Sequence, residues 1–268
     1  MPIFARRLST LIGVAILALS AGADATVLAA DGRGQTRGDA DEMGAREEIH
    51  QTYRIAPNGT VRVRGIAGPV SVETTDGGDT AEVHVVRMAA TEQELRCYRT
   101  EISSTSDRLT IEHVQRDRDR ECRTIRSRQE VRLRVPRSVD LDFSTIAGNL
   151  DVAPTDGMVR ADSIAGQASF AAVRAADISS VAGGLSLGVA PVSAEGISIL
   201  SVVGSVDLHL ERGVDADLSI DSVMGSVRSL AADVDIHEGD GSYHARVGSG
   251  RGRVSLSSVV GPVRLRRP

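Results

Sequence analysis

Apolar and polar residues alternate from near Tyr53 to the end of the chain. The alternation is clearest in TVRVRGIAGPVSVETT, TAEVHVVRMA, DRLTIEHVQ and QEVRLRVP. A period of two that is carried by β-branched residues is typical of strands with one buried face. Between these segments, ATEQELRCYRTEI is the one stretch with helical character. The pattern therefore predicts an all-β chain with one short helix in its N-terminal half.

A short phrase recurs in the second half of the chain, as STIAGNLDV, DSIAGQASF, SSVAGGLSL, LSVVGSVDL, DSVMGSVRS and SSVVGPVRL. The copies align on a shared glycine, and the earlier VRVRGIAGPVSV fits the same template. The aligned glycines are Gly68, Gly148, Gly166, Gly183, Gly204, Gly225 and Gly261. Neighbouring glycines of the first five copies lie 17 to 21 residues apart, whereas the last gap is 36 residues. That gap predicts one degenerate copy within VDIHEGDGSYHARVGSG.

Fixed positions around each glycine share a chemical character. Aliphatic residues dominate seven, five and two residues before the glycine and two and four residues after it. A hydroxyl residue stands three residues before it, and these residues are Thr145, Ser163, Ser180, Ser201, Ser222 and Ser258. The shift in phase indicates a bend between two short strands, where glycine permits unusual backbone angles. We predict that the glycines form structural corners and that the hydroxyls form a ladder beside them.

One such unit cannot bury its own apolar side, but a stack of units can. We therefore predict a single-stranded β-solenoid with rungs of 17–21 residues over residues 138–268. Residues 51–137 are the predicted divergent N-terminal β segment of the solenoid, with the short helix. A β-sandwich or a barrel with similar hairpins is the alternative. The regular glycine spacing and the column-wise match favour the solenoid.

The N-terminus has the features of an export signal. Arg6 and Arg7 precede the apolar run LIGVAILALSAGA, and Ala23-Asp24-Ala25 supplies a cleavage site, so residues 1–25 are a predicted signal peptide. An uncleaved anchor is the alternative. Residues 26–50 are a predicted flexible polar leader, and no later apolar run has the length of a spanning helix. We expect an exported protein of the periplasm or cell surface, without a transmembrane segment after cleavage.

The predicted export makes Cys97 and Cys122, the only two cysteines, candidates for a disulfide, because oxidising compartments allow disulfides to persist. A structural bridge is the favoured interpretation, and a redox pair is the alternative. Aromatic residues form only 2% of the chain and tryptophan is absent, so the core has to be built from small aliphatic side chains.

The net charge of −5 argues against a nucleic-acid partner, because proteins that bind nucleic acids usually carry a basic surface.

Over residues 52–267 the chain resembles a bacterial family of unknown function that is known as "putative adhesin" or β-strand-repeat proteins. The resemblance depends on the order of NGTVRVRGIAGPVSVE, VRLRVP, the repeated S-[IV]-x-G units and the closing GSGRGRVSLSSVVGPVRL. It implies an exported single-stranded β-solenoid and no established catalytic residues, so no functional site can be transferred residue by residue.

Candidate chemistry is sparse. His237 and His244, with Glu238 and Asp240, are the closest approach to a metal cluster, and a polar loop is the alternative interpretation. GSGRGR lacks the features of a phosphate loop and is better explained as a turn between late rungs. Four acids recur just before the hydroxyl column, but they do not share one column, and these are Asp142, Asp162, Asp177 and Asp221.

We therefore predict no catalytic, metal or cofactor site. The expected function is that of a non-catalytic adhesin-like or envelope scaffold. The expected partner is an envelope protein or a polysaccharide, with self-association through the end rungs as a further option. A polysaccharide-binding or polysaccharide-cleaving β-helix enzyme is the alternative, because glycosidic cleavage needs paired carboxylates and adjacent rungs bring acids together.

Overall fold

In the computed structural model, which describes residues 44–115, 122, 127–239 and 241–267, the chain is all-β with one short helix. The elements of the N-terminal half are β1 (Ala45–Arg54), β2 (Thr60–Arg64), β3 (Val70–Thr75), β4 (Thr80–Ala89), α1 (Glu92–Cys97), β5 (Tyr98–Ser104), β6 (Arg108–Gln115) and β7 (Ser127–Pro136). Strand β1 starts inside the stretch that was predicted as leader, because its residues pair in register with β4 from Ala45 to Arg54. The predicted signal peptide lies outside the described residues.

Strands also make up the second half, in pairs on either side of each corner glycine. They are β8 (Asp140–Ala147), β9 (Leu150–Val152), β10 (Met158–Ala165), β11 (Ala168–Val173), β12 (Ala175–Ile178), β13 (Val181–Ala182), β14 (Leu185–Val189), β15 (Ile197–Ile199), β16 (Val202–Val203), β17 (Val206–Leu210), β18 (Ala216–Met224), β19 (Val227–Ser229), β20 (Ile236–Gly239), β21 (Ser242–Val247), β22 (Gly252–Val260) and β23 (Val263–Arg266).

The strands form two large sheets. The first sheet has the order β1-β4-β7-β3-β9-β11-β14-β17-β23-β19. The second has the order β20-β21-β18-β22-β15-β12-β10-β8-β2-β6-β5, with β13 and β16 paired beside it. Most repeat strands pair in parallel and in register with the equivalent strand of another unit, so a sequence column becomes a physical row. One buried row contains Ile146, Ile164, Val181, Val202 and Val259.

The core lies between the inward faces of the two sheets and is almost entirely aliphatic. Its largest fully buried side chains include Phe143 and Phe170, and the remainder are mainly valine, isoleucine, leucine and alanine. The alternation of buried and exposed residues follows each strand, as in β17, where every second residue is buried. The chain has no tryptophan, and short branched side chains fill this space instead.

The corner glycines touch one another from unit to unit. A Cβ built on Gly204 would lie 1.6 Å from the carbonyl oxygen of Gly183, and one on Gly261 would lie 2.0 Å from that of Gly204. The same clash with the backbone of a neighbouring unit occurs at each member of the column, namely Gly68, Gly148, Gly166, Gly183, Gly204, Gly225 and Gly261. Only glycine lets successive units approach this closely.

The hydroxyl column has a role other than the predicted ladder. Thr145, Ser163, Ser222 and Ser258 adopt left-handed backbone angles, with φ between 54° and 58°. The pairing of β8 with β10 passes over Thr145 and Ser163 on both strands without a change of register, so these residues lie at a shared bend outside the ladder of paired residues. Within the described chain, no side-chain hydrogen bond involves any of the six hydroxyls, which are those of Thr145, Ser163, Ser180, Ser201, Ser222 and Ser258.

The units do not stack in the order of the chain. Strands β22 and β23, around Gly261, lie between the units of Gly204 and Gly225. At the other end, β2 and β3 lie between β6–β7 and β8–β9. The unit that is last in sequence is therefore held inside both sheets.

The predicted degenerate copy between Gly225 and Gly261 is instead a hairpin. Strands β20 and β21 pair antiparallel with each other, and β21 pairs antiparallel with β18. Gly239 and Ser242 are cross-strand partners, and the two residues between them in the sequence are Asp240 and Gly241. Asp-Gly is a strong two-residue hairpin signal, and such a loop joins only antiparallel strands.

A disulfide between Cys97 and Cys122 confirms the predicted bridge, with the two Cα atoms 5.6 Å apart.

Cys97 is the last residue of α1, the predicted short helix. Thr91 caps this helix by accepting a hydrogen bond from the backbone N of Glu94 at 3.1 Å, and the Glu94 carboxylate accepts one from the backbone N of Ala90 at 3.2 Å. The two bonds satisfy backbone donors at the start of the helix.

Replacing Gly204 with alanine tests the corner contact. We expect Gly204→Ala to lower the free energy of unfolding by roughly 3 kcal/mol or more, because the new methyl overlaps a backbone carbonyl that cannot move without separating two units. Gly77→Ala is the matched control, since a Cβ there meets nothing within 4 Å. Urea unfolding of both variants measures the difference, and equal stabilities would contradict the close contact.

Truncation after Gly250 tests the order of the units. It removes β22 and β23 from the interior of both sheets, so we expect loss of cooperative unfolding and binding of a hydrophobic dye. If the units stacked in the order of the sequence, the truncation would only shorten the stack, and unfolding would remain cooperative. The control is a chain that starts at Ile55, which lacks the edge strand β1 and the residues before it but keeps every interior strand, and it is expected to unfold cooperatively in calorimetry.

Candidate interaction surface

The outward face of the second sheet carries a row of alternating charges. Arg62, Asp142, Arg160 and Asp177 are successive cross-strand partners, one on each neighbouring strand. The Arg62 Nε donates to Asp142 Oδ2 at 2.7 Å, and both side chains are largely buried. Arg160 also approaches Asp140 at 3.7 Å. Because adjacent strands are about 4.8 Å apart, each charge faces an opposite charge on the next strand.

The same row continues across the sheet with hydroxyls and then imidazoles. From Asp177 it passes to residues that each pair with the next, namely Ser198, Ser255, Ser219, His244 and His237. We call the whole series, from Arg62 to His237, the outward row. The serines of this row lie side by side on neighbouring strands. They stand six residues before the corner glycine, whereas the predicted hydroxyl ladder was three residues before it. The aligned copies show this column in the sequence, but only the strand register shows that its side chains point outward.

The acids that the sequence singled out do not face one another. Asp142 and Asp177 lie two strands apart with Arg160 between them. Asp162 accepts a hydrogen bond from Ser179 Oγ at 2.8 Å, and Asp221 accepts one from Ser219 Oγ at 3.0 Å. Three of these carboxylates thus accept a hydrogen bond from an arginine or a serine, and Asp177 has Arg160 as its cross-strand neighbour. Glycosidic acid–base chemistry requires two carboxylates on either side of the scissile bond, and between Asp142 and Asp177 the intervening strand places Arg160.

Histidines 237 and 244 are brought together as cross-strand partners in β20 and β21. Ser242 Oγ lies 3.1 Å from His244 Nε2. Among the described residues, no group of three or more histidine, cysteine, aspartate or glutamate side chains could hold a metal ion. Asp240, the fourth member of the sequence cluster, lies outside the described residues.

Asp215 explains the role of the GSGRGR segment. Its carboxylate accepts hydrogen bonds from the backbone N of Gly250 at 2.6 Å, from Ser249 Oγ at 2.8 Å and from Arg251 Nε at 2.6 Å. These bonds, with that of Ser249 first, hold the pKa of Asp215 well below its usual range. The segment is therefore a turn that Asp215 fixes just before β22 enters the sheets.

A buried polar cluster that no sequence pattern predicted joins the N-terminal ends of the two sheets, with members on β4 and β7 of the first and on β5 and β6 of the second. Arg87 is 6% exposed, donates to the carbonyl oxygen of Leu95 at 2.7 Å and to that of Tyr98, and pairs with Glu47. It thereby satisfies carbonyls at the end of α1. Gln129, 2% exposed, occupies the corner position of its unit, because a Cβ on Gly68 would clash with its carbonyl oxygen.

His113 joins this cluster. Its Nδ1 is hydrogen-bonded to the Gln129 amide, whose Nε2 also donates to Thr100 Oγ1 at 3.1 Å. The imidazole stacks on the ring of Tyr98 with centroids 4.9 Å apart. Burial, and secondarily the positive charge of Arg87, lowers the pKa of His113 to about 4. The site therefore favours a neutral histidine.

Comparisons with known proteins give distant structural likenesses. No family model and no curated protein sequence matches the chain. A "putative cell adhesion protein" from Clostridium sporogenes is 11% identical, with a TM-score of 0.42, and the match covers 83% of this chain and 100% of that one. A "putative adhesin" from Bacteroides fragilis is 10% identical, with a TM-score of 0.33 over 82% of this chain and 97% of that one.

A third solved structure, a "putative adhesin" from Parabacteroides distasonis, is 11% identical, with a TM-score of 0.25 over 83% of this chain and 97% of that one. Separately, none of the helical segments in the described part of the chain has the length and hydropathy needed to cross a membrane.

The His113 site predicts a dependence of stability on pH. Its folded pKa of about 4 lies below the ordinary value of 6.5, so between these values the unfolded chain binds a proton that the folded chain does not. The stability is therefore highest above pH 6.5 and falls as the pH drops towards 4. We expect His113→Gln to flatten this part of the profile, as measured by urea unfolding at several pH values. His237→Gln, on the outward row, is the control and should keep the wild-type slope.

Proposed function

We propose that this chain is an exported, non-catalytic β-solenoid that acts as an adhesin-like or envelope scaffold and binds its partner through outward rows of polar side chains. The observation that carries the proposal is the in-register parallel pairing of equivalent strands. This pairing turns each outward sequence position into a row of side chains at fixed spacing, and a fixed array of charges is suited to recognising a complementary surface.

The solenoid assignment is supported by three features of the described units. Their strands pair in parallel, their aliphatic columns form continuous buried rows, and their corner glycines are in contact. Together these features match a stack of repeats in which each unit buries its apolar side against its neighbours. The antiparallel strands β1, β4, β5, β20 and β21 then serve as caps at the two ends.

A binding role, rather than catalysis, is supported by how the charges are arranged. Asp142 and Arg62 form a close ion pair in the outward row, and Asp207 at the surface of the first sheet is approached by Arg264 at 3.4 Å and Arg266 at 3.2 Å. Carboxylates whose oxygens are occupied by arginines in this way contribute to a fixed charge array at the surface, which favours recognition of a complementary surface.

Export is supported by the disulfide together with the signal-like N-terminal sequence, because disulfides form and persist in oxidising compartments. The periplasm and the cell surface are both consistent with these features. Protease treatment of intact cells, followed by detection of the chain, distinguishes the two locations.

Self-association through the end strands is less favoured by their composition. The edge strand β1, AREEIHQTYR, carries charges of both signs along its exposed side, and β19 is only three residues long. Short or charged edges are devices that prevent unwanted strand pairing. We therefore place partner binding on the outward row rather than at the ends of the stack.

A capture experiment with a charge-reversed row tests this function. Full-length protein and the variant Arg160→Glu are used to capture partners from envelope extracts, and Arg212→Glu, in the exposed connection between β17 and β18, is the matched control. We expect at least a tenfold loss of the captured partner with Arg160→Glu alone. Equal capture by all three proteins would contradict the role of the row, and turnover of a polysaccharide by purified wild-type protein would contradict the non-catalytic assignment.

A further inference from the structure

A groove of about 810 Å³ lies at the far end of the outward row, on the strands β18, β20, β21 and β22. Two parallel lines of side chains border it. One is the last part of the outward row, with Ser255, Ser219, His244 and His237 in cross-strand order. The second line, two residues away on each of three strands, consists of two arginines and the aspartate between them.

The arginine line has one paired and one unpaired guanidinium. Arg253, Asp217 and Arg246 are cross-strand partners. Arg246 Nε donates to Asp217 Oδ1 at 2.7 Å and its Nη2 to Oδ2 at 3.4 Å, so Asp217 holds this guanidinium beside the groove. Arg253 is exposed and makes no side-chain hydrogen bond or ion pair with any other described residue. A free guanidinium at the wall of a groove is available to a ligand.

The side chains that line the groove carry two positive charges and one negative charge, although the chain as a whole carries a net charge of −5. Asp221 lies just beside this lining, where its carboxylate accepts a hydrogen bond from Ser219 Oγ at 3.0 Å. Two arginines face one carboxylate, and the nearby Arg251 is neutralised by Asp215 at 2.6 Å. Glu238 does not reduce this charge directly, because it lines a separate depression with Val227 and Tyr243. The local excess of positive charge favours an anionic ligand, and arginine suits carboxylates and phosphates because its planar donors match two acceptor oxygens.

The neighbouring line adds hydrogen-bonding groups of another kind. The hydroxyls of Ser219 and Ser255 donate to Asp221 at 3.0 Å and to the carbonyl oxygen of Ile197 at 3.4 Å, and their lone pairs can accept from a ligand. A neutral imidazole, such as that of His237 or His244, has one donor and one acceptor nitrogen, so the line offers both kinds of group to sugar hydroxyls. The two lines run in parallel across the strands, so one side of an extended ligand would meet arginine and the other would meet hydroxyl and imidazole groups. An acidic glycan carries both kinds of group along one chain.

We propose that this groove binds an acidic glycan, with its carboxylate or phosphate-ester groups on Arg253 and Arg246 and its hydroxyls on the serine and histidine line. This inference rests on the proposed function, since it assigns a partner chemistry to the same outward face. It also gives Asp217 a defined role, because that carboxylate positions Arg246 while repelling an anionic ligand.

Calorimetric titration of the full-length protein tests the proposal. The probes are an oligogalacturonate, a neutral oligosaccharide of the same length, and a phosphate-ester oligosaccharide, all at low ionic strength. We expect binding of one or both acidic probes, none of the neutral probe, and a clear loss of affinity in salt, because added ions screen exposed charges. The two acidic probes distinguish a carboxylate ligand from a phosphate ligand.

Three variants assign the binding to the groove. Arg253→Ala is expected to weaken binding at least tenfold, whereas Arg212→Ala, which removes the same charge elsewhere, leaves it unchanged. Asp217→Asn is expected to tighten binding, because the amide still accepts a hydrogen bond from Arg246 but no longer repels an anion. Thermal unfolding of each variant confirms that it is folded. A merely structural role for Asp217 would not increase affinity.

Several outcomes would overturn the inference. These are equal affinity of Arg253→Ala and Arg212→Ala for the acidic probe, equal binding of neutral and acidic probes, and binding of neither acidic probe. If these failures accompany normal partner capture through Arg160, the scaffold function stands and only the groove assignment is wrong. Cleavage of a probe that depends on Arg253 would instead support the groove and contradict the non-catalytic function.

Discussion

The contact between successive corner glycines is the constraint on which the rest of the structure depends. A Cβ on Gly183 would lie 2.0 Å from the carbonyl oxygen of Gly166, and the same overlap recurs from Gly68 to Gly225. Units can therefore approach this closely at the bend only because the residue that faces the neighbouring backbone carbonyl has no Cβ; at Gly68 that carbonyl belongs to Gln129. Because the bends of neighbouring units lie directly against one another, the strands on either side of each glycine start at equivalent positions. They therefore pair in parallel and in register.

Register in turn decides the chemistry of both faces. On the inside, equivalent aliphatic positions meet, so small branched side chains pack in continuous rows and aromatic anchors are unnecessary. On the outside, one column gives an alternating series of arginine and aspartate, which changes to serine and then histidine across the second sheet. The proposed interaction surface and one side of the groove therefore lie on the same outward row, to which the capping hairpin contributes His244 and His237. The other side of the groove is formed by the neighbouring line of Arg253, Asp217 and Arg246.

The hydroxyl column shows that a real sequence pattern can have a structural cause other than the predicted one. Hydroxyl residues three positions before the glycine recur in the sequence, and Thr145 and Ser258 occupy them with left-handed backbone angles. Gly65 takes the equivalent position in the Gly68 unit with φ of 69°. Left-handed backbone is thus common to four of the six hydroxyl positions and to Gly65, but not to Ser180 and Ser201, and no side-chain hydrogen bond between neighbouring hydroxyls accompanies it among the described residues. The wider alternation of apolar residues carried no such ambiguity, since burial of one strand face has a single physical cause.

The sequence by itself determined the all-β class, the positions of the corner glycines, the aliphatic columns, the short helix and the two cysteines that are joined. Only the tertiary structure decided the order of the units, the capping hairpin of β20 and β21, the Arg87–His113–Gln129 cluster and the groove beside Arg253. The physical reason is that every unit carries the same columns, so any unit could pair well with any other. The choice among neighbours then depends on connections and end contacts between residues far apart in the chain, and no local pattern records them.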